Sequence, residues 1–263
     1  MTRLSISRAW EETAAFVARE TTLLVPLALA LIFLPSALVG LAMPAGVDEA
    51  ATKSPLSLIL FVIVFLVSAV GQLAIARLAL GHREQLGASI SHAAKRMPSL
   101  LGALMLVGLP FSIALGLVMG VAEGIKRSGA GNAGLALVVL LFMTVLLVAI
   151  LIVTARCLLM LPTASVEPGG PIRLIRRSMS LTKRQVLRLL VAGLLFLIGG
   201  VVVITALTSV VGAGVTFFLG RPEPWTVAAL LIAVAAAAAQ SVLATLFTVF
   251  TARLYAQRAD VEA

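Results

Sequence analysis

Residues 135–154 read LALVVLLFMTVLLVAILIVT, which is 20 consecutive residues without a charged side chain. A helix needs about 20 apolar residues to span the hydrocarbon core of a bilayer. Strands of a transmembrane barrel would instead alternate apolar and polar residues over segments of about 10. This stretch therefore predicts a transmembrane helix.

Five further apolar stretches of similar length predict five more spans. Taken together, the predicted spans are 22–43, 57–76, 100–121, 135–154 (extendable to 161), 187–211 and 225–251. Pro110 lies inside the third span and should kink it, because proline removes a helical hydrogen bond. We predict an all-α integral membrane protein with six transmembrane helices in a single membrane domain, residues 1–263.

The composition agrees with a membrane location. Hydrophobic residues make up 61% of the chain and charged residues 12%, whereas a soluble domain is about half apolar and about a quarter charged. The net charge of +9 would indicate nucleic-acid binding in a soluble protein. Here the basic residues lie between apolar runs, where a positive bias reflects membrane topology. No nucleic-acid partner is therefore expected.

The basic residues are divided unequally between the two sides of the membrane. The N-terminus, the second and fourth connections and the C-terminus hold 16 of the 20 Lys and Arg residues, and the other connections hold 4. The positive-inside rule assigns the richer side to the cytoplasm. An even number of spans then leaves both termini in the cytoplasm.

Three cytoplasmic segments are predicted to form amphipathic interfacial helices. Residues 4–20 carry an apolar stripe of Ile6, Trp10, Ala14 and Val17, and a shorter stripe begins at Ile90. The clearest case is residues 172–188, where six cations share one side at about 100° per residue. They are Arg173, Arg176, Arg177, Lys183, Arg184 and Arg188.

A basic amphipathic helix of this kind lies in the headgroup region of a membrane. Each cation near an anionic leaflet gains about 1 kcal/mol. Anionic membrane lipids are therefore the predicted partner of residues 172–188, through the six cations named above.

The order of interfacial helix, span and span occurs three times, which indicates an internal repeat. The units would be 4–80, 87–161 and 171–258, and the second span of each ends in an Ala-Arg pair. The three arginines are Arg77, Arg156 and Arg253. A true repeat would give the bundle pseudo-symmetry about the membrane normal. The alternative is that an even bundle with basic cytoplasmic ends shows this order by chance.

Residues 162–183 read PTASVEPGGPIRLIRRSMSLTK, in which an acidic, glycine-containing turn precedes an arginine pair, Ser and Leu-Thr-Lys. This pattern resembles the membrane domain attached to some glycerophosphodiester phosphodiesterases. It is also similar to a family of stand-alone, uncharacterised bacterial inner-membrane proteins. Met179 departs from the pattern, which usually has an aromatic residue there. The resemblance implies a membrane domain of the bacterial inner membrane and, without the catalytic domain, no phosphodiesterase activity.

Few polar side chains are expected deep in the bilayer. No predicted span carries an ionisable residue at its centre, where such a residue would be a functional candidate. Gln72, Gln240 and Ser241 lie within spans and should face the bundle as interhelical hydrogen-bonding groups; the alternative is a polar patch along a substrate path. His92 shares its connection with only one other histidine, so no metal and no cofactor is expected.

Two glycine pairs are predicted to allow close helix contact. Gly116 and Gly120 form a Gly-x-x-x-Gly motif, which brings transmembrane helices together within one chain or between copies. Gly199 and Gly200 in the fifth span favour either bending or tight packing.

Three classes of function are compatible with these features. We expect a non-enzymatic membrane accessory or scaffold that works with anionic lipid and with another membrane protein or a second copy. The alternative is a lipid or small-molecule transporter without an intramembrane ion-coupling residue. A headgroup enzyme using residues 173–188 to hold phosphate is the third class, and it lacks a nearby base or nucleophile. The chain is therefore not expected to be an enzyme.

Overall fold

The structure is a computed structural model that describes residues 5–43, 55–81, 86–128, 133–167, 169–183 and 185–262. Within these residues all regular secondary structure is helical. The elements are α1 (Ile6–Arg19), α2 (Thr21–Ala28), a π-helical turn (Leu29–Phe33), α3 (Leu34–Ala42), α4 (Pro55–Ala79), α5 (Leu86–Ser128), α6 (Ala133–Cys157), α7 (Met160–Val166), α8 (Pro171–Thr182), α9 (Val186–Leu219) and α10 (Val227–Glu262).

Six helical segments of the described chain are long and apolar enough to cross a membrane, which confirms the predicted number. They are Thr21–Ala42, Ser57–Ala79, Gly87–Ile125, Leu137–Val166, Val186–Leu219 and Val227–Arg258. The first combines α2, the π-helical turn and α3, and the fourth combines α6 and α7. The chain is thus a multi-pass membrane protein.

The π-helical turn in the first span was not predicted from the sequence. Pro35 has no N–H, so the helix cannot keep its regular bonding through this point. The helical turn instead contains one extra residue, because the Leu34 N–H donates to the Leu29 carbonyl five residues earlier. Gly71 of α4 lies against this turn, because a Cβ at Gly71 would be 2.7 Å from the Cβ of Leu31. The first two spans therefore meet at backbone distance.

The sequence predicted a separate short amphipathic helix around Ile90. The structure does not contain one. This segment forms the first turns of α5, which is 43 residues long and continues through Pro98 and Pro110. The buried side chains of Ala93, Met97 and Leu100 follow one face across this region. Their shared contact with the rest of the bundle explains why the helix continues.

The face that α1 presents to the protein is distinct from its apolar stripe. Ser5 caps the helix by accepting the Arg8 N–H at 3.3 Å. The buried side chains of α1 are Ala9, Thr13 and Phe16, whereas Trp10 of the stripe is 48% exposed. The contact face is therefore rotated by about a quarter turn from the stripe, at about 100° per residue.

The six spans contact one another in chain order, and the sixth returns to the first. The last helix, α10, contacts α1, α3, α4, α7 and α9. Its small residues allow a close approach to the first span, since a Cβ at Gly40 would lie 2.9 Å from the Cβ of Ala233. The bundle is therefore closed around α10.

The buried core lies at the end of the bundle that carries α1, α7 and α8. Core side chains there include Leu73, Leu159, Leu181 and Leu254. By contrast, only 6% of the residues in the most apolar stretches of the third and fourth spans are buried, against 33% in the sixth. The middle and far parts of α5 and α6 are thus almost wholly available to lipid or to another protein.

Candidate functional site

The basic segment predicted from the sequence follows a tight connection between α7 and α8. Pro171 is the first residue of α8, where proline is favoured because its fixed φ suits a helix start. Gly102 of α5 makes room for it, because a Cβ at Gly102 would lie 3.0 Å from Pro171 Cγ. The Ser99 hydroxyl donates to the Gly169 carbonyl at 2.8 Å. These contacts fix the start of α8 against α5.

Glu167 is the central polar residue of this connection. Its Oε1 atom accepts a hydrogen bond from Arg177 Nε at 3.0 Å and another from the Tyr255 hydroxyl at 2.7 Å. One carboxylate thereby joins the turn before α8, the basic face of α8 and the end of α10. Hydrogen bonds to an ionised group are roughly twice as strong as neutral ones, so this carboxylate fixes the orientation of Arg177.

The helix α8 has one face against the bundle and an opposite face with cations. Leu174, Ser178 and Leu181 are buried, and the Ser178 hydroxyl donates to the Arg156 carbonyl at 2.6 Å. Because α8 contacts α5, α6 and α7, its apolar face packs on protein.

An open cleft of about 580 Å³ lies along the cationic face of α8. Its lining consists of Glu167, Arg173, Arg176, Arg177 and Ser180. Three guanidinium groups therefore face one carboxylate, which leaves the cleft with an excess of positive charge. Planar guanidinium donors match the geometry of phosphate oxygens and bind them in pairs.

The predicted helix from residue 172 to 188 is two helices in the structure. α8 ends at Thr182 and α9 begins at Val186, with Gln185 between them at φ −141° and ψ 26°. Lys183 is exposed at the end of α8, and Arg188 is exposed on α9. Arg188 is therefore not part of the cleft, because the chain leaves helical geometry at Gln185. Arg184 lies outside the described residues.

The three arginines at the ends of the predicted repeats occupy similar half-buried positions beside different helices. Arg77 Nη1 donates to the Ser165 carbonyl of α7 at 3.4 Å. The Arg156 carbonyl accepts a hydrogen bond from the Ser178 hydroxyl of α8. The guanidinium carbon of Arg253 lies 4.7 Å from the centre of the Phe16 ring of α1, within the range of a cation–π contact.

A family model described as a domain of unknown function, DUF7847, matches residues 4–258. The chain belongs to the DUF7847 family. No curated protein and no solved structure matches it. The DUF7847 match covers nearly the whole chain, and no phosphodiesterase or other named family appears in these comparisons.

The deep polar residues of this DUF7847 chain take different positions. Ser241 is buried, and its hydroxyl donates to the Ala238 carbonyl of its own helix at 2.9 Å. Gln72 is half-buried, and Gln240 is exposed. Gln240 therefore does not face the bundle as predicted, because α10 turns its small residues toward α3 at this level.

Among the described residues, the Gly-x-x-x-Gly motif of this DUF7847 chain makes no contact with another helix. A Cβ at Gly116 or Gly120 would have no other atom of these residues within 4 Å. Both glycines lie roughly opposite the buried Val118 on α5, at about 100° per residue. Close packing of this pair against another described helix is therefore wrong, and contact with another copy stays a prediction.

Two residues of the polar network were not predicted as site residues, namely Glu167 and Tyr255. Glu167 lies in the segment that carries the sequence resemblance, and Tyr255 is the only tyrosine of the chain. Their 88-residue separation gave no reason to pair them. Within the described part of the DUF7847 chain, no three His, Cys, Asp or Glu residues lie close enough together to hold a metal ion.

Proposed function

We propose that this protein is a non-enzymatic accessory or scaffold protein of a bacterial inner membrane and that its α8 cleft binds the headgroup of an anionic phospholipid. The observation that carries this proposal is the convergence of Arg173, Arg176 and Arg177 on one open cleft with a single carboxylate. A phosphodiester offers two oxygens that accept paired hydrogen bonds from guanidinium groups. The attraction of an anionic leaflet adds about 1 kcal/mol for each cation near its surface.

The role of Glu167 supports binding more than catalysis. This carboxylate is shared between Arg177 and Tyr255, so it acts as a structural acceptor that positions a cation. A headgroup hydrolase would need a base or nucleophile directed at the phosphate. Three of the five side chains at the cleft are instead cations, which can hold a phosphate without reacting with it, and the Ser180 hydroxyl donates to the Arg177 carbonyl at 2.7 Å.

We also propose that the chain contains three repeats of an interfacial helix and two spans, with the basic side in the cytoplasm. Each Ala-Arg pair has a buried alanine, namely Ala76, Ala155 and Ala252. α1 contacts α10, α5 contacts α4 and α8 contacts α6, so each candidate interfacial helix packs on the second span of another unit. Such cyclic exchange is expected of pseudo-threefold symmetry.

The pattern in residues 162–183 supports a relation to the membrane domain attached to some glycerophosphodiester phosphodiesterases. We propose that relation for the membrane domain alone. This relation agrees with an accessory role. The membrane domain would then act together with other proteins that carry out the chemical reaction.

Lipid retention by the full-length protein tests the headgroup proposal. The protein is released in mild detergent, mixed with equal amounts of phosphatidylglycerol and phosphatidylcholine, and analysed by native mass spectrometry. The wild type should retain phosphatidylglycerol preferentially. The double variant Arg173→Gln, Arg176→Gln should lower that preference about thirtyfold, since two cations worth about 1 kcal/mol each are removed.

The matched control removes the same charge elsewhere. Arg8 and Arg221 are both exposed and lie outside the cleft, so the variant Arg8→Gln, Arg221→Gln should keep the preference. Equal retention of the two lipids by the wild type would refute the proposal. An equal loss in both double variants would show that net charge, and not the cleft, selects the lipid.

A further inference from the structure

A second cleft lies between α1, α9 and α10 and is almost entirely apolar. It has a volume of about 350 Å³ and includes Ile6, Trp10, Phe196, Gly199 and Phe250 in its lining. This volume falls within the range of small-molecule sites, about 300–1,000 Å³. The cleft is open at the side, so a molecule could enter it directly from the bilayer.

Aromatic side chains form one wall of this apolar cleft. The rings of Trp10 and Phe196 lie 6.3 Å apart in an edge-to-face arrangement, and those of Phe196 and Phe250 are stacked at 6.2 Å. Trp10 is 48% exposed because its ring covers the cleft without filling it.

Two glycines create the depth of the apolar cleft. A Cβ at Gly199 would meet no atom within 4 Å, and a Cβ at Gly200 would lie 3.6 Å from Leu243 Cδ1. The glycine pair therefore does not serve tight helix packing here. It leaves a notch in α9 that faces Leu243 and the aromatic wall.

The length of the apolar cleft matches one leaflet of a bilayer. Along α9 the lining extends from Ala192 to Val203, a separation of 11 positions and about 16 Å at 1.5 Å per residue. Half of a hydrocarbon core of about 30 Å is about 15 Å. A notch that begins near the core-rich end of the bundle thus reaches the middle of the membrane.

A cation lies at the start of this same helix face. Residues 188, 192, 195, 199 and 203 of α9 are separated by three or four positions, so they share one side of the helix. The first of them is Arg188, which is exposed, and the others line the apolar cleft. A phosphate above the notch would therefore meet a positive charge.

We propose that the apolar cleft is a binding site for one anionic glycerophospholipid, with an acyl chain along the Gly199–Gly200 notch and the phosphate at Arg188. This site uses different residues from the α8 cleft, so it stands or falls independently of the proposed headgroup function. The match of cleft length to leaflet depth argues for an acyl chain, and the cation at the mouth argues for an anionic headgroup.

A variant that fills the notch tests the site. Gly199→Leu places a side chain where the acyl chain would lie, and no neighbouring atom obstructs its Cβ. Gly214→Leu is the matched control, because it lies on the same helix outside the cleft and also has free space at its Cβ. Native mass spectrometry should show one phospholipid retained by the wild type and by Gly214→Leu. Retention by Gly199→Leu should fall about tenfold, because losing contact with two methylene groups already costs that much affinity.

Fluorescence provides a second measurement with a reporter inside the cleft. Trp10 and Trp225 are the only tryptophans, so Trp225→Phe leaves Trp10 as the sole reporter. Phosphatidylglycerol with dibrominated acyl chains should quench Trp10 in reconstituted protein, and adding Gly199→Leu should weaken that quenching. Arg188→Gln, an exposed substitution that leaves packing intact, should reduce quenching by phosphatidylglycerol to the level seen with brominated phosphatidylcholine.

Equal retention and equal quenching in Gly199→Leu and Gly214→Leu would overturn the proposal, as would a wild type that retains no phospholipid. Arg173→Gln, Arg176→Gln should leave Trp10 quenching unchanged. If that double variant abolished quenching as well, the chain would have a single lipid site in the α8 cleft, and the apolar-cleft proposal would be wrong.

Discussion

Glu167 connects two parts of the chain that are distant in sequence. Its carboxylate accepts hydrogen bonds from Arg177 at 3.0 Å and from Tyr255 at 2.7 Å, so its removal takes away both of these bonds. We predict that Glu167→Ala lowers the free energy of unfolding by about 2 kcal/mol, because two hydrogen bonds to an ionised group are lost. Thermal unfolding in detergent, followed by circular dichroism, measures this change.

Two further variants show whether the effect comes from the hydrogen bonds of Glu167 or from the loss of a negative charge. Tyr255→Phe removes only one of the two bonds and should cost about 1 kcal/mol. Glu11→Ala removes an exposed carboxylate of α1 and should leave the unfolding temperature nearly unchanged. If Glu11→Ala were as destabilising as Glu167→Ala, the network around Glu167 would not be what stabilises this end of the bundle.

At the scale of elements, the space around each glycine shows whether that helix face contacts another helix. Gly71 brings α4 against the π-helical turn at backbone distance, whereas Gly116 of α5 faces open space. Gly71→Ala should therefore destabilise the protein by about 1–3 kcal/mol through overpacking. Gly116→Ala should be neutral or slightly stabilising, since alanine favours a helix over glycine.

Unfolding temperatures of the two alanine variants at several protein concentrations test this difference. A Gly116→Ala variant that unfolds as readily as Gly71→Ala would mean that the open face of α5 is covered in the folded protein. If that loss depended on protein concentration, the covering surface would belong to a second copy.

At the scale of the whole molecule, the two ends of the bundle should face different compartments. The end with α1, α7 and α8 carries most of the basic residues, and the positive-inside rule predicts that it is cytoplasmic. In a Cys157→Ala background, Glu223→Cys between α9 and α10 should react with an impermeant maleimide in intact spheroplasts. Ser5→Cys should react only after the membrane is permeabilised; the reverse result would invert the topology.

The sequence was sufficient for the spans but not for the contacts between them. Apolar runs such as 135–154 predict helices because the bilayer excludes unpaired backbone groups. The same runs do not show which side of a helix meets protein, since lipid is as apolar as leucine. Gln240 on α10 was misassigned for this reason.

The polar site was predicted in part, for a related physical reason. The cations of α8 stand out by their period, so Arg173, Arg176 and Arg177 were recognisable from the sequence. Their partner Glu167 is bonded to Tyr255, 88 residues away, and no local pattern reports such a pair. The separation of Arg188 from α8 depends on the backbone at Gln185, which the charge pattern does not reveal.

The position of α10 has a consequence for how the protein is made. α10 leaves the ribosome after the other described helices, yet its partners include α1 and α3, which are among the first of those helices to be made. Roughly 200 residues separate α3 from the end of α10, and synthesis proceeds at about 5–20 residues per second. The first two spans are therefore synthesised about 10–40 s before α10 is complete. During that interval lipid has to cover the apolar surfaces that α10 later covers, since lipid tails are as apolar as leucine.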